Sequence, residues 1–124
     1  MELRFVKISV VYLVLGGVMG LAMGISGKFQ LASVHTHLLL LGWASLALAG
    51  LVYHWYPQAS ATRLARFHFW LHNLGLPAFM VGLALLLTGS EWALPLVAGA
   101  SIVVTIGLVL FAANVLFNAK RRTS

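Results

Sequence analysis

The sequence contains no cysteine and only two acidic residues in 124 positions. The lack of cysteine excludes disulfides, thiolate metal ligands, iron–sulfur clusters and the covalent attachment of a c-type heme. Charged residues make up 8% of the chain, against about a quarter in ordinary soluble domains, and hydrophobic residues make up 61%. This composition excludes a water-soluble globular domain and predicts a small integral membrane protein.

The few charges separate long apolar runs. The formal net charge is +6, but the cations lie at the edges of the apolar runs, so we expect a lipid bilayer and no nucleic acid as partner. The runs predict an all-α integral membrane four-helix bundle, a single domain over residues 1–124 with helices at about 5–27, 31–56, 63–89 and 92–118. The first run exceeds the apolar region of a signal peptide, about 7–15 residues, so we interpret it as a transmembrane helix.

The distribution of the cations predicts that both termini are cytoplasmic. In that orientation Lys28 is the one external cation, and cytoplasmic segments are those that carry the excess of Lys and Arg. We therefore expect a multi-pass protein of a bacterial inner membrane. The predicted cytoplasmic cations are Arg4, Lys7, Arg63, Arg66, Lys120, Arg121 and Arg122.

Small residues and prolines indicate how the helices pack. Gly16, Gly20 and Gly24 recur every four residues and form a face that permits close helix approach, within the chain or between subunits. Pro77 and Pro95 lie within predicted helices, where each would kink the helix and free a backbone carbonyl.

Five histidines lie within or at the rim of the apolar spans. Such residues are costly inside a membrane and are usually functional. Because no acidic residue or cysteine lies in the core to pair with them, these histidines favour a bound heme or metal, for which neutral imidazole is a common ligand. For any single one, a neutral ring hydrogen-bonded to a backbone carbonyl or a hydroxyl is the alternative. The five are His35, His37, His54, His68 and His72.

Depth and spacing sort the histidines into two groups. A rise of about 1.5 Å per residue predicts an outer pair, His35 and His37, and an inner trio, His54, His68 and His72. Residues two apart on a helix point about 200° apart, so the outer pair can ligate two irons on either side of the helix but cannot chelate one ion. His68 and His72 are four apart and share a face, so they could hold one small metal ion together, or one could ligate while the other packs.

Two motifs carry a family resemblance. The segments 34–43 (VHTHLLLLGW) and 53–57 (YHWYP), supported by 68–75 (HFWLHNLG), resemble the catalytic-subunit superfamily of heme-copper oxidases and nitric-oxide reductases, and most of all its short four-helix chains. The first and last helices share only hydrophobicity with it. In that superfamily a His-x-His pair ligates two hemes, one on each side of the helix. The resemblance therefore implies that His37, and next His35, are axial ligands of heme b.

The superfamily also suggests an assembly. Its large members contain three four-helix arcs, so a chain that resembles one arc implies a homotrimer with hemes held between subunits. The depth estimate agrees, because the inner histidines lie too far inward to supply a second ligand, whereas a rotated copy supplies one at the same depth.

The chemistry that a heme would perform is left open by the sequence. The chain has no adjacent His–His pair and no acidic residue in the core, so a complete binuclear centre is not predicted, and electron transfer or binding of O2 or NO is expected instead. Whether the protein is an oxidoreductase is open, as is its redox partner. A second site at the inner trio could hold heme, less favourably copper, or nothing. Trp43 and Gly42 could line a porphyrin, with helix packing as the alternative for Gly42.

Two other functions compete with this one. The chain could be a heme- or copper-handling assembly factor without redox turnover, although Met19, Met23 and Met80 form no Met-x-x-Met cluster. It could also be a structural accessory subunit whose histidines only hydrogen-bond. An absorption spectrum separates the heme protein from the structural subunit.

Overall fold

The computed structural model describes residues 1–121, and Arg122 of the predicted cytoplasmic set lies outside the described residues. Within that range the chain is helical and has no strand. Four spans are long and apolar enough to cross a bilayer, and the shortest, of 24 residues, is about 36 Å long against ~30 Å of hydrocarbon. The all-α class and the four candidate spans are thereby confirmed. Four such spans are consistent with a multi-pass integral membrane protein. The spans are α1 (Glu2–Ser26), α2 (Ala32–Trp55), α3 (Arg63–Leu87) and α4 (Leu94–Asn118). A short 3-10 turn, Glu91–Ala93, directly precedes α4 and belongs to the same span.

Local sequence explains where the helices end. Gly27 closes α1 in the left-handed conformation, φ 69°, which glycine adopts without steric cost, and its N–H donates to Met23 O. The backbone of Tyr56 is not helical and ends α2, because the ring of Pro57 disfavours the helical conformation in the residue before it. The side chain of Thr62 caps the start of α3 by accepting from the N–H of Ala65.

Glycines let α1 approach α2 closely. A Cβ at Gly16 would lie 2.6 Å from Leu39 Cδ2, and a Cβ at Gly20 would lie 2.7 Å from His35 Cε1. A Cβ at Gly24 would meet nothing within 4 Å in the described part of the chain. Gly16 and Gly20 therefore permit the close packing of α1 on α2 within one chain.

The contact between α3 and α4 is also built on glycine. A Cβ at Gly75 would lie 3.0 Å from the side chain of Val104, and one at Gly107 would lie 3.4 Å from the backbone nitrogen of His72. Pro77 lies inside α3, as predicted. Pro95 instead occupies the first turn of α4, where its missing N–H leaves no intrahelical bond unmade, so the predicted kink there is wrong.

Candidate functional site

His35 projects from α2 onto the surface of α1. Its Nδ1 lies 2.8 Å from Gly16 O, and because a carbonyl can only accept, Nδ1 carries the proton and donates. The ring lies over Gly20, where any larger residue would collide with it. The Nε2 of His35 is therefore the unprotonated nitrogen, with a free lone pair.

His37 has the same protonation pattern on another face of α2. Its Nδ1 donates to Ser33 O, one turn earlier, at 2.7 Å. The ring packs edge-on against Phe79 of α3, with ring centroids 5.1 Å apart. As the spacing of two residues predicts, His35 and His37 face different neighbours, α1 and α3 respectively.

The free nitrogens of these two histidines reach the surface of the chain. In residues 1–121, Asn73 Oδ1 is the one side-chain nitrogen or oxygen that is buried without a hydrogen-bond partner. His35 and His37 are half-buried, so their unpaired Nε2 atoms are accessible. An imidazole that donates one N–H to a backbone carbonyl and offers its other nitrogen is in the state that metal-ligating histidines adopt. The outer pair therefore fits a heme iron by its donor chemistry.

His68 and His72 form a different arrangement in the core between the helices. Their exposed fractions are 1% and 0%. His68 Nδ1 lies 2.8 Å from the Tyr53 hydroxyl, His68 Nε2 lies 3.4 Å from His72 Nδ1, and His72 Nε2 lies 2.8 Å from Leu41 O. Because all four ring nitrogens have partners within the chain, neither side chain offers a free nitrogen to a metal in this arrangement.

A π-helical segment of α2, Leu38–Ala44, provides the carbonyl that His72 contacts. In an α-helix the N–H of Ser45 would donate to Leu41 O, but here it donates to Leu40 O. The regular partner of Leu41 O is thereby lost, and His72 Nε2–H replaces it. Single π-helical turns of this kind are frequent at functional sites. The segment was not predicted, because its residues, LLLLGWA, are typical of an ordinary apolar helix.

His54 does not join the buried pair. It is exposed beside the start of α1, in a shallow cavity of about 180 Å³ that Glu2, Val6 and Gly50 also line. Tyr53, the preceding residue, is the one that turns inward to His68. The structure thus brings together two members of the expected inner trio and separates the third.

The two candidate porphyrin-lining residues differ in their surroundings. Gly42 is buried, and a Cβ there would overlap the ring of Tyr12, so the helix-packing alternative describes its use within the chain. Trp43 is half-buried within the π-helical segment. We therefore leave Gly42 out of the candidate site and retain Trp43 as a candidate porphyrin-lining residue of α2.

The remaining observations concern the whole chain. In residues 1–121, no three His, Cys, Asp or Glu side chains lie close enough together to hold a metal ion. Comparison of the chain with family models, curated proteins and solved structures finds no match. The geometry of His35 and His37 is therefore the feature that directs the functional interpretation.

Proposed function

We propose that this chain is a heme b-binding membrane protein, with His37 and His35 as axial ligands, that transfers electrons or binds O2 or NO. The observation that supports it is the shared state of the two rings, each with Nδ1–H bonded to a carbonyl and Nε2 free at the surface. A bound heme would supply a redox-active iron. The protein supplies ligand orientation, because the bonds to Gly16 O and Ser33 O fix both tautomers and rings.

The contrast with the other histidines supports this assignment. A structural role explains His68 and His72, whose ring nitrogens are all bonded, but it leaves the free Nε2 atoms of the outer pair unexplained. A heme needs only one or two protein ligands, so it does not require the three-residue cluster that a chelated copper ion would favour.

We also propose that the second ligand of each heme comes from another copy of the chain, in a homotrimer. His54 lies 17 residues beyond His37, about 25 Å along the same helix, and therefore cannot share its iron. Rotation about the membrane normal places a neighbouring His35 or His37 at the same depth. The resemblance to one of three oxidase arcs favours three copies and a relationship to that superfamily.

The proposed orientation has both termini in the cytoplasm of a bacterial cell. The N-terminal cations Arg4 and Lys7 and the α3 cations Arg63 and Arg66 lie at the helix ends opposite Lys28, and Lys120 follows α4 on their side. Cations on one side of the bundle are the signal that sets membrane topology. The outer histidines then face the side away from the cytoplasm.

The direct test is the absorption spectrum of the purified chain in oxidised and dithionite-reduced forms. We expect a Soret band that shifts on reduction and a pyridine hemochrome value of about one heme per chain, given two ligands per chain shared between copies. His35→Ala/His37→Ala should remove the band, whereas the exposed control His54→Ala should retain it. Full heme content in the folded double variant would refute the proposal.

A further inference from the structure

An open cavity lies beside the first two turns of α3, at the end of the bundle opposite Lys28. Its volume is about 370 Å³. Residues three, four and seven positions apart lie on one face of a helix, so α3 alone provides the residues that line the cavity. These are two arginines and two aromatic residues, all exposed: Arg63, Arg66, Phe67 and Trp70.

The two guanidinium groups of this cavity have no carboxylate partner in residues 1–121. The chain has two acidic residues, and one of them, Glu91, lies at the far end of α3. The other, Glu2, pairs with the terminal ammonium at 3.4 Å and accepts from the Ser60 hydroxyl at 3.1 Å. The first turn of α3 contains no acidic residue, and the positive end of the helix dipole lies there. An anion that neutralises the arginines therefore has to come from outside these residues.

We propose that this cavity binds the headgroup of an anionic phospholipid, with the phosphate at Arg63 and Arg66 and the acyl chains along the aromatic side of α3. Arginine suits this ligand, because its planar fork of N–H donors matches two phosphate oxygens at once. A phosphocholine headgroup would bring a further cation to a cavity that no carboxylate lines. The site therefore favours a headgroup with a net negative charge.

The aromatic side of the cavity favours a lipid over a soluble phosphate. Phe67 and Trp70 are 57% and 54% exposed, and the same face continues to Leu74, which is 65% exposed. At about 1.5 Å per residue, Trp70 lies about 10 Å and Leu74 about 16 Å beyond Arg63 along the helix. Charge at the helix end followed by apolar surface matches the order of headgroup and acyl chains in one leaflet. A soluble phosphate would use only the charged part of this face.

The tryptophan of the cavity is held in place by its neighbour. The ring of Trp70 packs edge-on against Phe69, with ring centroids 5.2 Å apart and an interplanar angle of 87°. Phe69 is itself 6% exposed and belongs to the core between the helices. Because this contact orients Trp70 before a ligand arrives, less side-chain freedom is lost on binding.

Two other cations at the same end of the bundle distinguish a site from a general surface charge. Arg4 and Lys7 of α1 are also exposed, but neither lines the cavity. A general attraction to anionic lipid depends on the number of cations near the membrane surface, so it would make the two pairs of cations equivalent. A specific site makes Arg63 and Arg66 matter more than Arg4 and Lys7.

The test is native mass spectrometry of the full chain in a neutral detergent, titrated with phosphatidylglycerol, with phosphatidylcholine or with inorganic phosphate. We expect one phosphatidylglycerol per chain, bound more tightly than phosphatidylcholine, and no retained inorganic phosphate. Arg63→Gln/Arg66→Gln removes charge-assisted hydrogen bonds and should weaken phosphatidylglycerol binding about tenfold or more. The control Arg4→Gln/Lys7→Gln removes the same charge at the same end of the bundle and should bind like wild type. Circular dichroism verifies that each variant keeps its helices.

A second pair of variants tests the aromatic side of the cavity without changing any charge. Trp70→Leu should weaken phosphatidylglycerol binding, whereas Trp55→Leu should not, although Trp55 is 62% exposed at the same end of the bundle. This pair decides the question if the double arginine variant fails to fold.

Four results would each overturn the proposal. They are an unchanged affinity in Arg63→Gln/Arg66→Gln, equal losses in that variant and its control, equal affinities for the two lipids, and inorganic phosphate bound as tightly as phosphatidylglycerol.

Discussion

Replacing Gly20 by alanine tests the contact that orients His35. An alanine Cβ would lie 2.7 Å from Cε1 and 3.3 Å from Nδ1 of His35, well inside ordinary contact distance. The ring cannot turn away freely, because its Nδ1–H is bonded to Gly16 O at 2.8 Å. The substitution must therefore break that bond or push α1 from α2.

The magnitude follows from three terms. Loss of the hydrogen bond costs about 1 kcal/mol, and inserting a methyl group into a packed contact costs about 1–3 kcal/mol. Alanine is more favourable than glycine inside a helix by roughly 0.5–1 kcal/mol. The free energy of unfolding should therefore fall by about 1–3 kcal/mol.

The assay is unfolding of the helical chain by sodium dodecyl sulfate in mixed micelles, followed by circular dichroism. Gly17→Ala and Gly24→Ala are matched controls on the same helix, since a Cβ at either position meets nothing within 4 Å in residues 1–121. They should be neutral or slightly stabilising. Equal free energies of unfolding for Gly20→Ala and Gly24→Ala would refute the packing of His35 on α1.

Three further predictions address the buried pair, the orientation and the assembly. His72→Leu leaves Leu41 O and a nitrogen of His68 without partners and should lower the free energy of unfolding by about 2–4 kcal/mol, whereas the exposed His54→Leu should change it little; similar losses in both would contradict these hydrogen bonds. Cysteine introduced at Ser90 should react with an impermeant reagent added outside the cell, and cysteine at Ser60 should not; the reverse pattern would invert the topology. Native mass spectrometry should detect a heme-loaded trimer that dissociates in His35→Ala/His37→Ala, and a monomer with full six-coordinate heme would exclude ligands shared between chains.

The helices were predictable because bilayer thickness fixes how long an apolar run must be. The predicted and observed ends differ by at most three residues, as at residue 5 against Glu2 for α1. The opposite faces of His35 and His37 were predictable for a similar reason, since the angle between residues two apart depends only on helix geometry.

The hydrogen-bond partners of His35 and His72 could not be predicted from the sequence, because the acceptors are distant in the chain. His35 bonds to a carbonyl 19 residues away and His72 to one 31 residues away. The π-helical segment contains the acceptor of that second bond, Leu41 O. Gly42 shows the same limit, because a glycine beside a cofactor and a glycine beside Tyr12 look alike in sequence.

The most direct test of the proposed heme ligation is chemical rescue of His37→Gly. Heme per chain should fall in this variant and recover when imidazole is supplied, because the added ring can replace the missing Nε2 ligand while the fold is kept. His72→Gly is the comparison, because the ring nitrogens of His72 contact His68 and Leu41 O. Added imidazole should not change the heme content of this variant. Heme content in His37→Gly that equals wild type, or that imidazole leaves unchanged after a loss, would contradict His37 as an axial ligand.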